Sequence, residues 1–266
     1  MKPFLLFLVI LIPQLPAASS NHRRSASDVE LQAWLQNMVW HHRFTHEEII
    51  AATGLDKKSL TAALERFNIQ PDNRPSHAVD SPLKVLPYPG GRHPRLGFLD
   101  GAIHPQRETK ISVFTPWDED SYVVADIPEA IWSNLGLTYL AHTHVPTIWT
   151  KKNINLPPLE WQRRKDGALV MERSLPNGIR FGTKVTAGRD VVRMEMWLQN
   201  GTKEKLTGMR VQNCVMLKGA LGFNQQTNDN KVLGQGWAAC GSADGSRWIA
   251  TGWQPAHRAW ANPPVP

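Results

Sequence analysis

The spacing of apolar residues changes character three times along this chain. Residues 4–12 form an unbroken apolar run behind one positive charge, Lys2, and Pro13 and Pro16 close it. Residues 27–67 then carry apolar positions three and four apart, the spacing of one helix face. From residue 96 onward, short apolar runs are broken by Gly, Pro, Asn and Asp, which is the pattern of strands joined by turns.

The helical stretch divides into three. Ser27-Asp28-Val29-Glu30 is a capping box, in which the serine hydroxyl and the glutamate satisfy free N–H groups of the first turn. The helix it opens presents Val29, Ala33, Leu35, Met38 and Trp40 and ends near His41-His42-Arg43. A second box, Thr45-His46-Glu47-Glu48, opens a short helix over 47–53, and Gly54 supplies the turn. Asp56 caps a third helix over 57–67, with Leu60, Ala63, Leu64 and Phe67 on one face, and Pro71 ends it. The prediction is a small three-helix N-terminal module over residues 27–69. Residues 70–94, with Pro71, Pro75, Pro82, Pro87, Pro89 and Pro94, cannot sustain a helix or a central strand. They read as a Pro-rich linker lying along the body that follows.

Residues 95–266 are predicted to be mainly β, an antiparallel sandwich. Strands are expected over 110–114, 122–127, 137–149, 168–172, 179–186, 191–199, 207–218 and 247–253. One short helix is expected over 128–135, with Pro128 in its first turn. Residues 192–198 alternate cleanly, and Asn200-Gly201 follows, so a hairpin with 209–217 is expected. Residues 261–266 read as a loop rather than a finished strand, so the sandwich is expected to be incomplete there.

The start of the chain has the order of a secretory signal: a positive residue, an apolar run, then the small residues Ala17-Ala18-Ser19-Ser20. The run is shorter than the ~20 residues a spanning helix needs. The expectation is a signal peptide over residues 1–20, a secreted or periplasmic mature protein, and no membrane span after cleavage. In an oxidising compartment Cys214 and Cys240 can form a disulfide, or they can remain small buried thiols; the sequence leaves both open. The formal net charge is +7. Between residues 21 and 70 Arg23, Arg24, Arg43, Lys57, Lys58 and Arg66 are matched by Asp28, Glu30, Glu47, Glu48, Asp56 and Glu65; Lys2 carries +1, and the other +6 lies in residues 71–266.

Two resemblances follow. The stretch HEEIIAATGLDKKSLTAALE resembles the helix-turn-helix of bacterial transcription regulators at Ile49, Gly54, Leu55, Leu60 and Ala63, and departs from it at Ile50. The resemblance implies a tri-helical fold. A DNA reader needs a basic face, which this neutral module lacks, so nucleic acid is set aside as a partner and DNA binding is kept as an alternative. The stretch GTKVTAGRDVVRMEMWLQNGTKEKLTGMRVQNC resembles the middle of a galactose-mutarotase-like β-sandwich. RHPRLGFLDGAIHPQRETKISVF and ADIPEAIWSNLGLTYLAHTHVPTIW resemble exported bacterial proteins with such a body. That resemblance covers residues 90–260 and implies a large twisted sandwich whose concave face binds carbohydrate.

Candidate chemistry is sparse. Eleven Trp stand beside three Tyr and eight Phe, and a broad indole stacks well on a sugar ring. Trp117, Trp132, Trp149 and Trp161 are the stacking candidates, and Arg92, Arg95 and Arg107 could hold an acidic sugar. The charged runs around Arg92–Arg95 and His104–Glu108 otherwise read as solvated loop faces. His142 and His144 lie two apart on an expected strand, so both imidazoles share a face. With Glu160, Glu172 or Glu195 they could act as acid and base on a sugar hemiacetal. In mutarotases a His and a Glu do this work, but no family motif matches either residue here, so no role is carried over. No third ligand stands at a telling spacing, so no metal and no cofactor is expected. The sequence carries no signal of oligomeric state. The reading is an exported carbohydrate-associated protein, binding favoured over catalysis; the alternatives are a DNA-binding regulator and a sugar isomerase or hydrolase.

Overall fold

The computed structural model describes residues 21–78, 80–95, 97, 99–100, 107–141 and 145–256. The expected signal peptide falls on residues 1–20, outside the described residues. The helices form where the capping signals place them. Helix α1 spans Asp28–Gln36, α2 His46–Thr53 and α3 Lys57–Arg66. Ser27 Oγ accepts from the Glu30 N–H, Thr45 and Glu48 cap each other reciprocally, and Asp56 accepts from the Ser59 N–H. A π-helical turn, Asn37–His41, continues α1. Through it the His42 N–H donates to Asn37 O, five residues back, at 3.1 Å.

Fourteen strands follow among the described residues: β1 Val85–Pro87, β2 Gly91–Arg92, β3 Leu99–Asp100, β4 Lys110–Phe114, β5 Tyr122–Ser133, β6 Gly136–Leu140, β7 Gln162–Arg163, β8 Leu169–Ser174, β9 Arg180–Ala187, β10 Val192–Gln199, β11 Arg210–Met216, β12 Lys231–Gly234, β13 Trp237–Gly241 and β14 Trp248–Gly252. All pairings are antiparallel. The largest sheet runs β1-β4-β5-β11, with β6 also on β5; a second runs β10-β9-β8-β7, a third β12-β13-β14, and β2 pairs with β3. The protein is mainly β with three helices, as its sequence pattern predicts. β1 forms inside the proline-rich segment, at the edge of its sheet, where Pro87 is tolerated.

Three local expectations are corrected. Residues 128–135 are not a helix, because 122–133 are the long central strand β5. Its first ten residues are buried, so its apolar run shows no alternation that would tell strand from helix. Pro128 has no N–H to donate, and the β11 register shifts opposite it, between Gln212 and Cys214. The expected strand over 137–149 ends at Leu140, and Trp149 lies in a buried turn beyond it. The expected hairpin also fails: β10 pairs with β9, whereas β11 crosses to the other large sheet and pairs with β5. The connecting loop is pinned to the turn between β5 and β6, with Asn134 Oδ1 accepting from the Thr207 N–H at 2.8 Å.

The two larger sheets enclose one core, with Ile111, Ala125, Ile127, Ile131 and Tyr139 facing Leu169, Met171, Phe181 and Val185. The helices close a second core with the five-stranded sheet, where Leu35, Met38, Ile49 and Leu60 meet Phe114, Tyr122, Val124 and Met216. His42 lies in this second core, 1% exposed. Its Nδ1 stands 3.1 Å from Asn37 O and its Nε2 2.7 Å from Ser112 Oγ on β4. A carbonyl can only accept, so Nδ1 carries the proton and Nε2 accepts from the serine hydroxyl. The rings of Phe44, Tyr88, Phe114 and Tyr122 surround it edge-on. Burial lowers its pKa to about 3, and burial together with Lys84 lowers that of His41 to about 4.

Both histidines are neutral in the folded protein, while in the unfolded chain they take a proton near the ordinary value of 6.5. Stability is therefore full above that value and falls as pH drops from about 6.5 towards 4, by about 1.4 kcal/mol per pH unit per histidine. Urea unfolding at neutral and mildly acid pH should show this slope, and replacing His42 by Gln should remove its share. Equal unfolding free energies of the wild type at both pH values would refute the assignment.

Candidate functional site

Three regions carry unusual chemistry, and the first is a buried charged seam where β4 begins. Arg107, Glu108, Lys110, Asp126 and Arg173 are all at most 3% exposed. Lys110 Nζ stands 2.6 Å from Asp126 Oδ2 on the neighbouring strand. Glu108 accepts from the Tyr139 hydroxyl at 2.6 Å and from Arg173 Nη2 at 2.5 Å. Burial pushes the Glu108 carboxyl up, with Arg173 opposing, and pushes the Tyr139 hydroxyl well up. Sequence reasoning placed Arg107 and Glu108 on a solvated loop face; instead they are internal, matched charge by charge. Ion pairs with no solvent access cost several kcal/mol to desolvate and stand only when complete.

The proposed sugar-holding arginines are drawn into contacts within the chain. Arg92 forks onto Glu48 of α2 (2.5 and 2.8 Å) and lies over Phe44. Arg107 donates to Glu160 at 3.0 Å and covers the Trp34 ring of α1, and Glu160 also meets Arg23. Arg95 Nη2 stands 2.9 Å from Cys214 Sγ. Arg92 and Arg107 therefore clasp the helices to the β body. Of the stacking candidates, Trp149 is 4% exposed and donates to Thr138 O, Trp161 is buried, and Trp117 is stacked on Phe223 beneath Arg247. Trp132 is half-buried beside Arg210. Burial removes Trp149 and Trp161 from any role in stacking on a ligand.

Cys214 and Cys240 are both free thiols. They sit on different sheets against different cores, Cys214 against the helices and Cys240 with Phe223, so the disulfide does not form. Burial pushes the Cys214 thiol up to about 11. His142 and His144 lie outside the described residues. Among the described residues no group of three or more His, Cys, Asp or Glu is arranged to hold a metal. No helix among them is long and apolar enough to cross a membrane. On α3, Arg66 is paired with Asp28, and Lys57 and Lys58 line a shallow hollow with Thr61 and Glu65.

The second region is the outer face of the four-stranded sheet. The register puts Glu195 opposite Lys184, and Trp197 opposite Gly182, which is itself opposite Glu172. Two of the three glutamates nominated from the sequence, Glu172 and Glu195, thus share this exposed face, where Arg180 pairs with Glu172. The Trp197 indole lies across Gly182, so close that a Cβ there would be 2.7 Å from the ring.

The third region is the outer face of the small sheet. Ala238 and Cys240 of β13 point into the protein. The outward positions are therefore Val232 and Gly234 of β12, Trp237, Ala239 and Gly241 of β13, and Trp248, Ala250 and Gly252 of β14. None has a charge or a hydrogen-bonding group except the two indole N–H groups. Trp237 is 44% and Trp248 55% exposed. Each ring leans over the glycine opposite it in register: Trp237 over Gly234, Trp248 over Gly241. A Cβ at Gly234 would stand 2.1 Å from Trp237 Nε1, so a larger residue would lift the ring. The result is an apolar shelf with two exposed indoles leaning over glycines, floored by Gly, Ala and Val232.

No family model matches the chain, and no significant match was found among curated proteins or solved structures. Sequence reasoning missed Trp197, Trp237 and Trp248. The signal was present in the two C-terminal ones: Trp237-Ala-Ala239-Cys-Gly241 and Trp248-Ile-Ala250-Thr-Gly252 put one Trp and two small residues on the same face at period two.

The seam makes its own prediction. Replacing Asp126 by Asn leaves Lys110 charged and buried, and should cost about 3–5 kcal/mol. Replacing Glu195 by Gln on the exposed face should change stability by less than about 0.5 kcal/mol. Chemical denaturation of the two variants would reveal the contrast, and similar losses would contradict the seam's burial.

Proposed function

We propose that this chain is an exported carbohydrate-binding protein whose β body belongs to the galactose-mutarotase-like sandwiches. The observation that carries the reading is the shelf formed by Trp237 and Trp248 on the outer face of the small sheet. An exposed apolar face is an interaction site far more often than an accident of folding. An exposed indole fits the C–H face of a pyranose, and the ring loses little entropy on binding because glycine contact already holds it. The face of Trp197, Arg180 and Glu172 supplies a third exposed indole, with polar groups beside it that suit sugar hydroxyls. The apolar start at residues 4–12 supports export, and the arrangement of two large antiparallel sheets around one core supports the sandwich family.

Binding is favoured over turnover. The buried carboxylates Glu108 and Asp126 are held in internal networks, and the exposed Glu172 is held by Arg180. The test is a glycan array covering neutral, amino and acidic sugars, probed with the mature protein. The wild type should bind at least one class, and the variant with both Trp237 and Trp248 replaced by Ala should lose that signal while keeping its circular dichroism. A folded wild type that binds none of the glycans would overturn the reading.

A further inference from the structure

We infer that the shelf takes an extended, uncharged polysaccharide presented as a flat surface, and does not take single sugars or acidic chains; this rests on the carbohydrate reading above. The argument starts from what the outward face lacks. The chain carries +7 overall, yet no charged side chain stands on the outward positions of β12, β13 and β14. A face without charge gains nothing from an anion and leaves the charge of an anion without a partner, so charge complementarity selects a neutral ligand. The floor is Gly, Ala and Val232, none of which carries a polar side chain. Among the described residues on this face only the two indole N–H groups could read a ring's hydroxyls, whereas a site for a small sugar gains its affinity from several such groups around one ring.

The spacing of the indoles supplies the rest. Trp248 is opposite Gly241, four residues along β13 from Trp237. At ~3.4 Å per residue the two rings are roughly 14 Å apart along the strand. Both lean the same way, each towards the neighbouring strand on its β12 side and over that strand's glycine. Neither a monosaccharide nor a disaccharide reaches both. A longer chain lying flat can stack on the two together, and the second contact is then intramolecular, which multiplies a weak single-ring affinity. An extended chain already held straight in an insoluble array pays least entropy to do so.

The experiment is retention of the mature protein on insoluble cellulose and chitin, two neutral flat-chain polymers, with soluble polygalacturonate as the acidic probe and phenyl-agarose as a plain apolar control. Retention on at least one polymer is expected, unchanged between low and high salt, with no binding of polygalacturonate and no preference for phenyl-agarose. Trp237→Ala and Trp248→Ala should each lower the affinity about tenfold, and the double variant should abolish retention. Gly234→Val and Gly241→Val keep both indoles but lift one, and should match the corresponding alanine variants; Trp248→Phe should recover part of the loss. Soluble oligosaccharides longer than a disaccharide should compete where glucose and cellobiose do not.

Competition by glucose as strong as by the long oligomers, loss of retention at high salt, or binding of polygalacturonate would overturn this ligand class while leaving carbohydrate binding standing. Retention that survives the double variant would take the site away from the shelf. Equal retention on phenyl-agarose, or self-association in sedimentation that the double variant abolishes, would assign the shelf to nonspecific apolar contact or to a second copy of the chain. Failure on the glycan array as well would remove the carbohydrate reading itself.

Discussion

His42 joins the helices to the five-stranded sheet as a neutral ring, accepting from Ser112 on β4 and donating to Asn37 in the π-helical turn behind it. The π-helical turn exists at the point where α1 must deliver that side chain into the sheet. Around it Phe44 comes from the helical side, Phe114 and Tyr122 from β4 and β5, and Tyr88 from the segment between. Polar and apolar terms are coupled here: the aromatic packing that stabilises the interface also makes a charge on the imidazole costly. Arg92 and Arg107 extend the same interface, each pairing a carboxylate and capping an aromatic ring with its guanidinium. The helices are therefore part of the β body's core rather than an appendage to it. That agrees with the neutral charge of the module, whose ionic groups are largely spent on contacts within the chain.

Charge and apolar surface are distributed against the usual rule. Charged side chains fill the seam at the start of β4, while two tryptophans and a strip of Gly and Ala face solvent on the small sheet. Each departure has a cost. The seam must keep its pairs complete, and the shelf risks association through an open apolar face. The shelf shows how a sheet can hold a large aromatic residue exposed. The glycine across the strand leaves room for the ring to lean over it while the residue stays exposed.

Much of the architecture is legible in the residue order. The three capping signals and the apolar spacing place all three helices, clean period-two alternation places β10, and apolar runs between turn signals place β8, β9 and β11 to within about three residues. These are local effects, settled by hydrogen bonding and side-chain direction within a few residues. The failures are also physical. β5 is buried on both faces and so lacks alternation, and Pro128 imitates a helix start. Asn200-Gly201 has the chemistry of a hairpin turn, yet the Asn134 contact and the open edge of β5 draw the next strand to another sheet. Arg107 and Glu108 look like solvated charges because sequence records the charge and not the depth.

The sequence by itself therefore determined the class of the protein: three capped helices, a mainly antiparallel β body, and a wealth of tryptophan. Only the tertiary structure decided which tryptophans are available. Trp149 and Trp161 fill the sandwich, while Trp237 and Trp248 lie exposed over glycines that are three to seven residues away in the chain but adjacent across the sheet. It decided as well that Cys214 and Cys240 stay apart and that the nominated arginines turn inward. The reason is the same in each case. Propensity and capping act between near neighbours, whereas exposure, pairing and charge depth depend on which distant strands come to lie side by side.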